Sequence, residues 1–149
     1  MRVVLDTNVL ARATPGRKSP AEEVVARAVV PPNELALSAF LLAELERVLR
    51  YDRVRRIHQL DEEDLDLFVK GLCANALHVE LTKKGAVAIV PNDPQDDPVV
   101  ATAVEGKAEV ICTLDRHLHH PDVVAYCAKR GIRVMTDVEL LQVLRAQDG

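Results

Sequence analysis

Aromatic residues are scarce in this chain: no tryptophan, two tyrosines and two phenylalanines, 3% of the whole. Few rings are therefore available as platforms for stacking a planar ligand. Cysteine is scarce too. Cys73, Cys112 and Cys127 are an odd number in apolar surroundings without CxxC spacing. That excludes a disulfide framework and reads as buried thiols of a reducing compartment. No apolar run approaches the ~20 residues of a membrane helix. No basic segment followed by an apolar one precedes the first strand, so no secretory leader is expected and the chain is read as cytoplasmic. Internal repeats, low-complexity tracts and linkers are missing, so residues 1–149 are expected to form one domain. Positive charge is not in excess. A net charge of −4 excludes a coat of cations, though not a local cluster of them. What is present, 48% hydrophobic and 28% charged residues, is ordinary for a globular domain.

Strand-like and helix-like segments alternate, the signature of βαβ units and a parallel sheet. Arg2 to Asp6 is a short apolar run without polar alternation, as a strand buried on both faces should be. Ser19-Pro20-Ala21-Glu22 begins a helix with a Ser cap, Pro at the first helical position and Glu three residues after the cap. That helix is expected to run to about Val30, where Pro31-Pro32 stops it. Leu35 to Ser38 is a second strand. Ser38 caps a helix whose Phe40, Leu41, Leu42, Leu45, Val48 and Leu49 form an apolar stripe. A helix from Asp61 has acids at Glu62, Glu63 and Asp64 near its positive end, and a strand follows over Leu77 to Leu81. A small apolar helix spans Asp97 to about Gly106. Next come a strand at 109–114, a helix from about Pro121 to Arg130 closed by Gly131, and a strand from Ile132 to Met135. Thr136-Asp137-Val138-Glu139 is a capping box that opens a last helix.

Asp6, Glu44, Asp97 and Asp115 each fall where a hydrophobic run gives way to a loop or a helix start. In a parallel sheet those places coincide, in the crevice at the carboxyl ends of the strands. Carboxylates gathered there repel one another unless a cation sits among them, which argues for a metal site. Oxygen ligands select Mg²⁺ or Mn²⁺ over zinc. Such an ion lowers the pKa of a bound water, which can then attack a phosphodiester. Asn8, two residues past Asp6, is placed to orient that carboxylate, and Thr113 to do the same for Asp115; Thr7 is a weaker candidate. Each of these polar residues has an alternative reading as a local turn hydrogen bond.

Val-Leu-Asp-Thr-Asn-Val-Leu at 4–10, Leu-Ser-Ala-Phe-Leu-Leu-Ala-Glu-Leu at 37–45, Asp-Asp-Pro-Val-Val-Ala-Thr-Ala at 96–103 and Ile-Cys-Thr-Leu-Asp at 111–115 follow one another along nearly the whole chain. Together they resemble the PIN domain, the small metal-dependent ribonuclease fold of VapC-type toxins, and within it the subgroup of toxin–antitoxin toxin components. The resemblance implies an α/β protein, a three-layer α/β/α sandwich around a central parallel sheet of about five strands. It implies Asp6, Glu44, Asp97 and Asp115 as metal-holding catalytic acids with Mg²⁺ or Mn²⁺, an RNA substrate, a protein antitoxin and a homodimer. Asp97 matches the family helix through its spacing to Val100 and Ala101, which leaves the adjacent Asp96 as a helix cap or spare ligand.

Arg47, Arg50, Arg53, Arg55 and Arg56 fall within ten residues, and Arg50, Arg53 and Arg56 are candidate RNA phosphate contacts against the alternative of a solvated helix face. With so few rings, selection of RNA by shape and backbone is expected. His117, His119 and His120 lack a further ligand at zinc spacing and read as a loop beside the site. Two rival classes remain. A haloacid-dehalogenase-like phosphatase needs a second Asp two residues after the first, where this chain has Asn8. A catalytically silent RNA-binding module of the same fold would keep the architecture without turnover.

Overall fold

The computed structural model describes residues 1–82, 94 and 97–147. Five parallel strands make one sheet in the order β3-β2-β1-β4-β5: β1 (Arg2–Leu5), β2 (Glu34–Ser38), β3 (Ala76–Val79), β4 (Val110–Cys112) and β5 (Arg133–Met135). The connections move outward from β1 to β3, then jump back over β1 to β4. The first strand is therefore the centre of the sheet and its carboxyl end is the switch point. The strands differ from the expected ones at their ends: β1 stops at Leu5, β3 runs one residue earlier and ends at Val79, and β4 is confined to Val110–Cys112.

Side-chain alternation divides the interior into two layers, because successive strand residues point to opposite faces. Val3 and Leu5, Leu35 and Leu37, and Val110 and Cys112 face one cluster. There they meet α2 (Pro20–Ala28), α5 (Glu62–Ala74) and α8 (Asp137–Ala146) through Val24, Leu65, Leu72, Leu140 and Leu144. Val4, Ala36 and Ile111 face the other, against α6 (Pro98–Glu105) and α7 (Pro121–Ala128) through Val100, Ala103 and Cys127. Each fully buried Leu or Val contributes roughly 1.5–3 kcal/mol, so both faces of the sheet are needed to hold β1 in place. Helices on both sides make the α/β/α sandwich that the resemblance implied, around the parallel sheet that the alternation of segments implied.

Helix α3 (Ala39–Leu49) belongs to both layers. Leu41 packs in the second cluster, Leu45 and Leu49 in the first, so the helix passes across the carboxyl edge of the sheet. Two short pieces follow β1, α1 (Thr7–Leu10) and a 3-10 turn at Ala11–Ala13. A further helix absent from the sequence reading, α4 (Asp52–His58), follows α3. Its anchor is buried His58, whose Nδ1 accepts from the Leu60 N–H at 2.9 Å while Nε2–H donates to the Leu49 carbonyl at 2.8 Å. The caps hold as the sequence suggests at Ser19, Ser38, Asp61 and Thr136. Glu22 departs from the box pattern. Its carboxylate takes the Lys18 and Gly16 N–H groups rather than that of Ser19. Among the described residues no helix is long and apolar enough to cross a membrane.

Candidate active site

Four elements deliver acids to the carboxyl edge of the sheet. Asp6 follows β1 and caps α1; Glu44 rides on α3 where that helix crosses the edge; Asp97 caps α6; Asp115 follows β4. Asp6 is the deepest, 7% exposed, and a carboxylate so placed must be hydrogen-bonded. Its Oδ1 accepts from the Thr7 N–H at 2.7 Å, and its Oδ2 from the Thr113 hydroxyl at 2.7 Å and the Asn8 amide at 3.3 Å.

Thr113 and Asn8 also join the central strand to its neighbour. Fully buried Thr113 gives its hydroxyl proton to Asp6 and accepts from the Asp115 N–H at 3.0 Å, so one oxygen fixes the relative positions of two acids. Asn8 donates to Asp6 and accepts from the Leu114 N–H at 3.2 Å. Asp97 accepts from the Val99 and Val100 N–H groups, a capping arrangement, and Asp115 accepts from the His117 N–H. On the opposite wall Ser38 and Thr102, both buried, approach to 2.9 Å between hydroxyl oxygens. That contact ties the start of α3 to α6, and hence the Glu44 and Asp97 helices to each other. Sequence reasoning named Ser38 only as a cap and missed Thr102, whose one signal was a lone hydroxyl in the apolar run of α6.

The charges feel one another. Burial pushes the Glu44 carboxyl above its ordinary range, and the charges of Asp6 and Asp97 push it further while Arg47 opposes them. Asp97 is likewise raised, chiefly by burial against the counter-pull of its two backbone hydrogen bonds, with Asp6 and Asp115 adding to the rise. All four acids thus belong to one electrostatic neighbourhood that disfavours simultaneous ionisation. They do not form a closed cage: among the described residues no three His, Cys, Asp or Glu side chains gather at ligating distance. Asp6, Asp97 and Asp115 each turn one oxygen onto a backbone N–H of their own turn. An all-oxygen, like-charged, open ring still suits Mg²⁺, which keeps several of its waters and takes only one or two carboxylates directly.

The remaining candidates separate. Asp96 lies outside the described residues. Arg50 is engaged inside the protein, pairing with Glu62 at 3.0 Å and Asp66 at 3.3 Å and donating to the Glu46 carbonyl, while Arg55 also pairs with Glu62. Arg53 and Arg56 are exposed on α4. In the histidine run, His119 donates to the Thr113 carbonyl at 2.8 Å and His120 caps α7 by accepting from the Asp122 N–H. Those two rings brace the loop after β4, and His117 is left exposed beside Asp115. The cysteines are free thiols; Cys112 and Cys127 are buried, and burial pushes both thiols up.

No match is found among curated proteins. Among solved structures the chain is similar to VapBC2 from Rickettsia felis bound to a DNA fragment from their promoter, at 15% identity and a TM-score of 0.52, over 91% of this chain and 98% of that one. At that identity the likeness is one of fold. The family model described as the PIN domain matches residues 2–117. The chain belongs to the PIN-domain family.

Proposed function

We propose that this chain is a metal-dependent endoribonuclease, hydrolysing RNA phosphodiester bonds with Asp6, Glu44, Asp97 and Asp115 as its metal-holding acids and Mg²⁺ or Mn²⁺ as its cofactor. The observation that carries the reading is the electrostatic one. Four carboxylates from four elements share one edge, and two of them are driven above their ordinary range by burial and by the others. A site that holds such repulsion in its metal-free form is built for a cation. When bound, the ion would supply a polarised phosphoryl oxygen and an activated water. The chain's own residues then have defined work. Thr113 and Asn8 hold Asp6 in one orientation, the Asp97 carboxylate is kept in place by its helix, and burial and neighbouring charge raise both Glu44 and Asp97.

Family membership supports nuclease chemistry, and the VapC-type resemblance supports the toxin of a toxin–antitoxin pair, with a protein antitoxin and a homodimer. An RNA substrate and three free thiols fit a cytoplasmic setting. Exposed Arg47, Arg53 and Arg56 are the cluster members available to RNA phosphates.

The test is cleavage of a single-stranded RNA by the purified protein in Mg²⁺, Mn²⁺, Ca²⁺ and EDTA. Internal cuts are expected with the first two ions. Little turnover is expected with Ca²⁺, whose larger and looser shell positions water and phosphate poorly. Robust cleavage in EDTA would overturn the metal mechanism, RNA binding without cleavage in any ion would leave a silent binding module, and phosphate release from a small monoester would favour a phosphatase.

A further inference from the structure

The chain has four aromatic residues. Phe68 packs against the first core cluster, and Tyr126 against the second with the Arg130 guanidinium 3.5 Å over its ring. Phe40 and Tyr51 remain in solvent, 51% and 47% exposed. A single exposed Phe is unremarkable on area alone; the place of Phe40 is what matters. It opens α3 at the carboxyl edge of the sheet, four residues before Glu44, and Arg47 lies three residues beyond Glu44. Residues so spaced are neighbours on one helix face. Phe40, half-buried Glu44 and exposed Arg47 therefore form a stripe about 10 Å long. Its middle member feels the charges of Asp6 and Asp97, and its far end is a cation close enough for Glu44 to feel. Arg47 makes no side-chain hydrogen bond or ion pair among the described residues.

We propose that Phe40 is a base-stacking platform at the mouth of the acidic site, with Arg47 as the phosphate contact on the other side of Glu44, so that α3 receives one strand of RNA along its exposed face. This rests on the ribonuclease reading and adds to it a residue that positions substrate. The stripe matches a single strand, which alternates planar bases with phosphates and binds to rings set among cations. It does not match an apolar protein segment, because the other exposed residue beside Phe40 on that face, Ala43, offers little apolar area. One ring at the site also fits a chain that otherwise selects RNA through its backbone.

The chain has no tryptophan, so F40W introduces a sole indole at the stripe. In EDTA, a single-stranded oligoadenylate should quench that fluorescence, while an abasic oligonucleotide of the same length should not. F40A should weaken oligoadenylate binding roughly five- to hundredfold, the range for loss of one stacked base. Its melting temperature should stay that of the wild type, as expected for an exposed residue. L67A, at an apolar residue 62% exposed on α5, should bind as the wild type does. Wild-type affinity in F40A, or equal quenching by the abasic strand, overturns the proposal even when Mg²⁺-dependent cleavage is intact. An F40W indole that responds to a protein partner and ignores RNA overturns it in favour of a protein interface. A wild-type chain that neither binds nor cleaves RNA brings down both this proposal and the ribonuclease reading.

Discussion

Replacing Thr113 by Val removes one hydroxyl and keeps the shape of the side chain. The position is fully buried, so water cannot substitute readily. Two bonds go at once: the 2.7 Å donation to the Asp6 carboxylate and the 3.0 Å acceptance from the Asp115 N–H. A hydrogen bond to a charged group is worth about 1.5–3 kcal/mol, and a buried group left without its partner costs ~1–3 kcal/mol. Asp6 keeps Thr7 and Asn8 as donors, and the Asp115 amide is only part-buried, so the lower part of that combined range applies. The expected loss is about 2–3 kcal/mol. For a chain of this length each kcal/mol moves the melting point by roughly 2–4 °C, giving a drop of about 4–12 °C. Because Asp6 and Asp115 lose their common anchor, RNA cleavage should fall by about 10–100-fold, as for residues that orient metal-holding groups. Thr113→Ser restores the hydroxyl and should recover most of both losses. Thermal melts of wild type, T113V and T113S, each beside a cleavage assay, decide the matter. A T113V protein melting within about 2 °C of wild type would refute the stability argument. Normal cleavage by T113V would refute the view that this hydroxyl fixes the acids.

Asp97→Asn keeps the helix cap, since Asn caps almost as well, and removes one charge from the ring. A raised carboxyl costs stability once pH exceeds its unfolded value, so at neutral pH the metal-free variant should melt at or above wild type. Mg²⁺ should raise the melting temperature of wild type more than that of the variant; equal shifts remove Asp97 from the site. Arg53→Ala with Arg56→Ala should weaken RNA binding and flatten its salt dependence without changing stability. Arg50→Ala should instead lower stability slightly and most at low salt, through the lost pairs with Glu62 and Asp66, and an unchanged melt at low salt would contradict that division of roles. Glu23 accepts from Arg145 and Arg27, and Arg145 above all holds its carboxyl down at about 2. Such a depressed acid contributes stability above its ordinary value of 4.5 and loses it as pH falls toward 2. Glu23→Gln should flatten the acid limb of the melting curve within that window, and a parallel limb would show that the Glu23–Arg145 pair adds no stability.

Features set by local chemistry were the legible ones. Apolar runs marked the inner strands β1, β2 and β4 because a strand covered on both faces has no polar side to show. Ser19, Ser38, Asp61 and Thr136 marked helix starts because the cap bond is made within three residues. The order of the acids along the chain carried their arrival at one sheet edge, since in a parallel sheet every strand ends on the same side. What failed to show depended on distant partners. Helix α4 has no continuous apolar stripe, and its hold is His58 reaching back to Leu49 and on to Leu60. Arg50 and Arg53 look alike in sequence, and only the position of α5 assigns one to Glu62 and Asp66. Thr102 showed only as a lone hydroxyl in an apolar run because its partner, Ser38, is 64 residues away.

The central place of the first strand also sets a clock. Asp6 leaves the ribosome well ahead of the hydroxyl that orients it, which is 107 residues downstream. At a synthesis rate of about 5–20 residues per second, that interval lasts roughly 5–20 s. During it β1 has β2 to pair with but lacks β4, and Asp6 lacks the partner shared with Asp115. The acidic edge therefore cannot assemble before β4 and the residues just after it have emerged. A nascent chain, or one cut short before β4, carries Asp6 without the hydroxyl that orients it.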